Sequence, residues 1–173
     1  MPATQTTAFK NQASDGVTRS DTVLDRPLPS NIDAEEGLIA CCIKDLTGET
    51  LSACIAARMK DKSFYQPAHQ ILFKALLELH ENGDPVDEIT LSEHLKKEQL
   101  EAVGGLNDIF RLTGRIETTA HGAFWMKIVQ EKHVMRALIN TATSIIDRAY
   151  SSPPDMEGFL GEIEQEIQYF DAN

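Results

Sequence analysis

Apolar residues recur along this sequence at steps of three and four positions, which is the period of an amphipathic α-helix. The first stripe follows Ser30 and Asn31, either of which can cap a helix, and comprises Leu38, Ile39, Cys42, Ile43 and Leu46. Further stripes predict a short helix with Leu51, Cys54, Ile55 and Met59, a helix from Pro67 to Asn82-Gly83, a helix from Thr90, and a short helix after Gly104-Gly105. No segment alternates like a strand between hairpin turns, so the sequence predicts an all-α fold.

The longest stripe predicts one helix from Ala120 to near Tyr150. Its seam comprises Ile128, Met135, Leu138, Ala142, Ile145 and Ala149. A break at residues 151–155, with Ser152 and Asp155 placed to cap, precedes a second stripe of Met156, Phe159, Ile163, Ile167 and Phe170. Two stripes joined by a short break predict an antiparallel helical hairpin. We therefore expect a globular multi-helix head at residues 29–117, followed by an antiparallel helical hairpin at residues 118–171.

Residues 1–28 differ in composition from the rest of the chain. They are rich in Thr, Ser, Gln, Asn and Asp and contain few large apolar residues. Such a segment cannot bury enough surface to offset the entropy of ordering it. The sequence therefore predicts a flexible N-terminal tail.

The predicted hairpin carries more apolar residues than two helices can enclose. Some of them lie off the seam, and these can either pack back on the head or form an interface with a second copy. Exposed aromatic and aliphatic residues are the usual anchors of such interfaces. The candidate interface residues are Phe124, Trp125, Ile128, Met135, Ile139, Ile146, Phe159, Leu160, Ile163 and Phe170.

The charge of the chain and its cysteines indicate which kind of partner the protein binds and in which cellular compartment it lies. The 173 residues include 16 Lys and Arg against 27 Asp and Glu, a net charge of -11, which argues against a surface built to neutralise phosphates. A basic or neutral partner is expected instead. Cys41, Cys42 and Cys54 lie in apolar helical patterns without C-x-x-C spacing, so we expect buried, reduced thiols and a cytoplasmic protein. No apolar run is long enough to cross a membrane.

An acidic cluster in NGDPVDEITLSEHL raises the question of a metal or acid–base site. Asp84, Asp87, Glu88 and Glu93 lie there within ten residues, but the spacing breaks the pattern of an EF-hand calcium loop. We interpret the stretch as a helix end, a turn, and a new helix that Thr90 starts with Glu93 in a capping box. The alternative is a small all-α enzyme that uses these carboxylates, although no base, nucleophile or metal set accompanies them.

Other catalytic signatures are missing from the sequence. It contains no G-x-x-x-x-G-K-[ST] loop for a nucleoside triphosphate, no G-x-S-x-G and no H-E-x-x-H. The histidines are interpreted as solvated or partly buried imidazoles; they are His69, His80, His94, His121 and His133. We expect no catalytic, cofactor or metal site in this chain.

Several motifs in fixed order resemble the N-terminal domain of bacterial replicative DNA helicases of the DnaB family. These motifs are PSNIDAEEGLIACCI, the block FYQPAHQILFKALLELHENGDPVDEITLSEHL, the turn formed by Leu100, Val103, Gly104 and Gly105, and WMKIVQEKHVMRALI, which contains Arg136. The resemblance covers about residues 29–170. Trp125 stands where the family usually has tyrosine.

The resemblance implies a helical head and a hairpin whose pairing with a neighbour builds dimers and then a trimer of dimers. Such a collar supports a hexameric helicase ring and docks primase and, in some lineages, a helicase loader. ATP and Mg would belong to a C-terminal motor outside this sequence, and DNA would be bound only by the full-length ring. The alternative is the helicase-binding C-terminal domain of a primase, which has a similar architecture.

Overall fold

The structure, a computed structural model, describes residues 26–151 and 154–171, with only the backbone for residues 169–171. This part of the chain contains eight α-helices, a 3-10 turn at Asp61–Ser63 and no β-strand. The helices are α1 (Ile32–Lys44), α2 (Glu49–Ala56), α3 (Pro67–Asn82), α4 (Glu88–His94), α5 (Lys97–Ala102), α6 (Gly105–Thr113), α7 (Gly122–Tyr150) and α8 (Met156–Asp171). The all-α prediction is confirmed. The predicted tail, residues 1–28, lies outside the described residues except for its last three.

Helix α1 lies at the centre of the head, because α3, α6 and α7 all pack against it. Most of the apolar stripe predicted for α1 is fully buried, namely Leu38, Ile39, Cys42 and Ile43. Leu46 was predicted to continue this stripe, and that prediction is wrong. The helix ends at Lys44, so Leu46 lies in the following loop with 93% of its surface exposed.

The three cysteines are buried and free, as the sequence predicted. Burial raises the pKa of the Cys41 thiol. A hydrogen bond with the Cys54 side chain, and then burial, hold the pKa of the Cys42 thiol well above its usual value. The thiols of Cys41 and Cys42 therefore stay protonated and act as small apolar side chains of the core.

One carboxylate fixes the loop between α1 and α2. Asp45 accepts hydrogen bonds from the backbone N–H of Thr47 at 3.0 Å and of Thr50 at 2.8 Å. It also accepts from the hydroxyl groups of both threonines, at 2.6 and 2.7 Å. These bonds, led by that of the Thr47 hydroxyl, lower the pKa of Asp45 to about 2. The loop that displays Leu46 is therefore held in one conformation.

Replacing Asp45 should change how the free energy of unfolding depends on pH under acidic conditions. The folded-state pKa of about 2 lies below the ordinary value of 3.8. Ionised Asp45 therefore stabilises the fold above the ordinary pKa, and this contribution is lost as the pH falls from about 4 to about 2. We expect Asp45→Asn to lower the free energy of unfolding at neutral pH by about 1 kcal/mol and to flatten its dependence on pH in that window. Urea denaturation between about pH 4 and about pH 2 measures this change, and Asp84→Asn, at an exposed position, is the control. The same dependence of the free energy of unfolding on pH for Asp45→Asn and wild type would contradict the prediction.

The acidic stretch between α3 and α4 ends one helix and starts the next, as predicted, but the residue that caps α4 differs from the prediction. Helix α3 ends at Asn82 and is capped by Gly83, which has the left-handed φ of 75° that glycine adopts without strain. The next helix starts at Glu88, and its cap is Asp87, whose side chain accepts from the backbone N–H of Thr90 at 2.8 Å. The predicted Thr90–Glu93 capping box is therefore wrong, because Thr90 already lies in the first turn of α4. The same backbone hydrogen bond is the main reason why the pKa of Asp87 is lowered.

Removing this cap should destabilise the head measurably. We expect Asp87→Ala to lower the free energy of unfolding by about 1 kcal/mol, since it leaves the first N–H groups of α4 without their acceptor. Glu93→Ala removes the other proposed capping residue and should change stability by less than about 0.5 kcal/mol. Urea denaturation of both variants distinguishes a cap by Asp87 from the Thr90–Glu93 capping box. An equal loss of unfolding free energy in the two variants would support the capping box instead.

Helix α5 was not predicted from the sequence. It has no buried residue, so it carries no apolar stripe from which a helix could be recognised. The following turn uses Gly104, whose φ is 87°, and the Cβ of any other residue there would overlap the Asp108 side chain. This turn directs α6 back across α4 and α1.

The first part of α7 packs on the head instead of projecting from it. Val129 and Arg136 on this helix are buried, and a Cβ atom added to Gly37 of α1 would lie only 2.9 Å from Nε1 of Trp125. Glycine therefore allows α1 and the indole ring to come close. The helix begins at Gly122, two residues after the predicted Ala120. Residues of α7 such as Val129 contribute to the core of the head. The division of the chain into a head and a hairpin after residue 117 stays a prediction.

Helices α7 and α8 form the antiparallel hairpin that the sequence predicted. Asp155 caps α8 by accepting from the backbone N–H of Gly158 at 3.0 Å, whereas the predicted cap Ser152 lies outside the described residues. Arg148 joins the two helices. Its guanidinium donates to Glu162 at 3.1 Å and to both carboxylate oxygens of Glu166 at 2.9 Å.

The side of α7 that faces α8 differs from the predicted seam. The half-buried residues near the hairpin tip are Thr141, Thr143, Ile145 and Arg148. By contrast, Met135 and Leu138 of the predicted seam are 44% and 46% exposed. The difference arises because a threonine and a paired arginine occupy inward positions that a search for apolar periodicity does not recognise.

Candidate functional site

A buried polar network joins the head to the base of the hairpin. Its centre is Glu35 of α1, which is 1% exposed. The Glu35 carboxylate accepts from the backbone N–H of Tyr65 at 2.7 Å and of Gln66 at 3.2 Å. It also accepts from Nδ1 of His69 at 2.8 Å, so this ring nitrogen carries the hydrogen. The chain segment before α3 is thereby fixed to α1.

Arg136 of α7 completes this network from the hairpin side. Its guanidinium donates to the carbonyl oxygen of Pro29 at 2.9 Å and to that of Ser63 at 2.7 Å. It also lies over the Tyr65 ring, 5.7 Å from the ring centroid. Burial lowers the pKa of Arg136, while the charge of Glu35 opposes that shift. One side chain thus ties α7 to both the entry segment of α1 and the 3-10 turn.

The sequence prediction missed this network. His69 was interpreted as solvated or partly buried, but it is buried and bound to Glu35. Glu35 precedes Leu38 by three positions and Ile39 by four, so it lies on the apolar side of α1. A carboxylate on an otherwise apolar stripe was the signal that could have revealed a buried ion-pair partner.

The predicted interface residues divide into three groups. Five of them are exposed: Phe124, Met135, Ile139, Ile146 and Leu160. Four are half-buried: Trp125, Ile128, Phe159 and Ile163. The side chain of Phe170 lies outside the described residues. Trp125 packs on Gly37, so for this residue the structure supports packing back on the head.

Seven of the exposed apolar residues of α7 and α8 lie on one face. On α7, Ile146 directly follows the inward Ile145, and on α8, Leu160 directly follows the inward Phe159. Successive residues of an α-helix are about 100° apart around its axis. Ile146 and Leu160 therefore each point about 100° away from the side of their helix that faces the other helix, and both are rotated in the same direction when viewed along their own chain. Because the helices run antiparallel, the same sense of rotation brings both stripes to the same side of the pair. We call this surface the hairpin face; it comprises Met135, Leu138, Ile139, Ile146, Met156, Leu160 and Ile167.

The hairpin face has little charge along α7. Residues 137–146 contain no charged side chain. Helix α8 carries the exposed carboxylates Glu157 and Glu164, whereas Glu162 and Glu166 are bound to Arg148. A wide apolar strip without charges at its centre is typical of the core of a helix–helix interface.

The head carries a separate cleft of about 660 Å³ between α1, α3, α5 and α6. Its apolar floor includes Leu72, Val103 and Ile109. Its rim carries two arginines, of which Arg115 pairs with Glu36 and with Asp33, and Arg111 pairs with Asp108. No set of three His, Cys, Asp or Glu side chains suited to a metal is found within the described ranges. In the same ranges, no helix has the length and apolar character needed to cross a membrane.

A family model for the DnaB-like helicase N terminal domain matches residues 27–131. The chain belongs to this family. The match covers the head and the first part of α7, where the Glu35 network lies. Of the two families that the sequence left open, the match supports the helicase N-terminal domain over the helicase-binding domain of a primase.

Relatives with established names extend this match along the chain. The replicative DNA helicase DnaC of Bacillus subtilis is 32% identical over 149 residues, which is 86% of this chain and 32% of that protein. The replicative DNA helicase DnaB of Geobacillus stearothermophilus gives the same identity and the same coverage. The chain thus spans about one third of the length of the relatives that it matches.

Two solved structures share the fold of this DnaB-like domain. The N-terminal domain of DnaB helicase from Mycobacterium tuberculosis superposes with a TM-score of 0.72 at 25% identity, covering 83% of this chain and 99% of that one. A DnaB-like replicative helicase, described together with its interactions with primase, superposes with a TM-score of 0.66 at 17% identity. It covers 81% of this chain and 31% of that chain, and at this identity the likeness concerns the fold alone.

Proposed function

We propose that this chain is the collar domain of a replicative DNA helicase and assembles with further copies of itself through the hairpin face. The observation that carries the proposal is the exposed apolar face on the hairpin of a chain that belongs to the DnaB-like family. Ile139 and Ile146 on α7 and Leu160 on α8 are each more than two fifths exposed. Water contact at such a continuous strip is unfavourable, and burial against an identical strip removes it.

A second copy is the occupant that fits this face best. Two hairpins related by a two-fold axis would present the same residues to each other and form a four-helix arrangement. The uncharged segment 137–146 lets two α7 helices approach without desolvating an ionised group. Arg148 keeps its bonds to Glu162 and Glu166 within one hairpin, so the charged pair need not be broken on association.

The wider role follows from the family. The collar would hold six copies as a trimer of dimers and support the ring of a C-terminal motor that binds ATP and Mg. It would dock primase and, where one exists, a helicase loader during DNA replication in the cytoplasm. DNA would be bound by the full-length ring, which agrees with the net charge of -11 on this chain.

Docking of primase can be tested directly with the chain. We expect saturable binding, measured by calorimetry, of the helical C-terminal domain of the primase from the same organism. The remainder of that primase, lacking the helical domain, serves as the matched control and should not bind. No heat of binding at concentrations of about 100 µM would remove primase from the proposal while leaving self-assembly untouched.

A further inference from the structure

The cleft of the head, between α1, α3, α5 and α6, offers a hydrogen-bond acceptor beside its apolar floor. His69, one of its lining residues, is 6% exposed and donates from Nδ1 to Glu35. Its other ring nitrogen, Nε2, forms no hydrogen bond with the described side chains or backbone. Because Nδ1 carries the hydrogen, Nε2 of the neutral ring is an acceptor. A ligand of this cleft is therefore expected to bring a hydrogen-bond donor to His69.

The charges around the cleft favour a basic ligand. Three carboxylates line it, those of Glu36, Glu101 and Asp108, against two guanidinium groups. Arg115 is bound to Glu36, and Arg111 is bound to Asp108. Among the residues that the structure describes, the exposed Glu101 has no salt bridge. A ligand with one positive charge next to an apolar side chain would therefore suit both Glu101 and the floor of the cleft.

The N-terminal segment of this chain contains such a pair of residues. Phe9 is the only aromatic residue among residues 1–28, and Lys10, the only lysine there, follows it directly. The lysine ammonium group is a donor without acceptor capacity, which is what Glu101 and Nε2 of His69 require. The phenylalanine ring offers a large apolar surface to the floor. The pair therefore matches the cleft in both polarity and charge.

The segment is attached close to the cleft, so it can reach the cleft of its own copy. Asp33, in the first turn of α1, is bound at 3.0 Å to Arg115 on the rim. Twenty-one residues lie between Phe9 and the helix cap Asn31. An unstructured chain of that length spans about 25 Å on average and about 70 Å when extended. Such a tether gives an effective ligand concentration of about 1 mM, at which a weak contact forms.

We propose that Phe9 and Lys10 dock in the α1–α3–α5–α6 cleft of their own copy. The ring lies on the apolar floor, and the ammonium group lies between Glu101 and Nε2 of His69. The N-terminal segment is then an intramolecular ligand, and any other ligand of the cleft has to displace it. Because the contact lies within one copy, it does not depend on self-assembly through the hairpin face.

The first test compares amide hydrogen exchange in the full chain and its variants. Helix α5 buries no side chain, so its exchange is sensitive to whether the cleft is covered. Phe9→Ala and Lys10→Glu should each speed exchange in residues 97–113 by about threefold, because either change releases the segment. Arg19→Glu is the matched control, since it makes the same charge change elsewhere in the segment, and it should leave exchange unaltered. Equal exchange rates in wild type and Phe9→Ala would overturn the proposal.

A charge exchange tests the partner of Lys10. Glu101→Lys should speed exchange as much as Lys10→Glu does, and the two changes combined should restore the wild-type rate. Glu98→Lys is the matched control, because Glu98 lies on the same helix but does not line the cleft. Neither position is buried, so the fold is kept. A double variant that exchanges as fast as the single ones, or an equal effect of Glu98→Lys, would contradict the assignment.

Photo-crosslinking locates the contact. A benzophenone amino acid in place of Thr7, two residues before Phe9, should join to residues 101–115 of the same chain. A mixture of isotope-labelled and unlabelled protein distinguishes crosslinks within a chain from those between chains. Crosslinks to other segments, or only between chains, would overturn the proposal. A monomeric chain that still gives the expected crosslink would support it while removing the hairpin dimer.

Discussion

Replacing Arg136 by alanine should lower the free energy of unfolding by about 3 kcal/mol. The substitution removes the donor from the carbonyl oxygen of the buried Ser63 and from that of the half-buried Pro29. It also removes a positive charge that interacts favourably with the buried carboxylate of Glu35. Unsatisfied buried acceptors and an uncompensated buried charge are among the largest causes of destabilisation by single substitutions.

The measurement is urea denaturation followed by circular dichroism at neutral pH. Arg111→Ala is the matched control, because that arginine is exposed and forms only a surface ion pair with Asp108. It should cost less than about 0.5 kcal/mol. Arg136→Lys keeps a charge but cannot span both carbonyl oxygens, so it should recover only part of the loss. A loss below about 1 kcal/mol for Arg136→Ala would mean that the network does not hold α7 to the head.

Placing a carboxylate on the hairpin face should abolish dimerisation. We expect Ile139→Glu and Ile146→Glu each to raise the dimer dissociation constant by about 100-fold, because every substitution occurs twice in a two-fold interface. The fold itself should be kept, since both residues are more than two fifths exposed within one copy. Sedimentation equilibrium over a dilution series gives the constants.

A matched control comes from the same helix. Ser144 is an exposed residue two positions before Ile146, about 200° around α7 and away from the hairpin face. Ser144→Glu should therefore leave the dissociation constant within about threefold of the wild-type value. If Ser144→Glu weakens the dimer as much as Ile146→Glu, the contact lies on another side of the hairpin. If neither does, the hairpin is not the interface.

Much of the architecture could be predicted because it follows from local rules. The stripe of α1, the start of α3 at Pro67, its end at Gly83 and the break before α8 depend on residues close together in sequence. Helix α5 shows the limit of these rules, since it buries no side chain and so leaves no pattern. Leu46 shows another limit, because periodicity does not tell where a helix ends.

The Glu35 network could not be predicted by these rules. Glu35 and His69 are 34 positions apart, and Arg136 reaches the carbonyl of Pro29 across 107 positions. Their pairing depends on how three helices meet, which periodicity within one helix does not record. The hairpin face was only partly foreseen for a related reason. Thr141 and Arg148 take inward positions, so apolar residues assigned to the seam face solvent.

The measurement that tests the central claim most directly is the molar mass of the unmodified chain in solution, by sedimentation equilibrium at increasing concentration. Burial of one hairpin face on another predicts a reversible dimer at micromolar concentrations, with larger species above it. A chain that remains a monomer up to about 1 mM would contradict the account, because an assembly domain with an available partner surface must associate at that concentration.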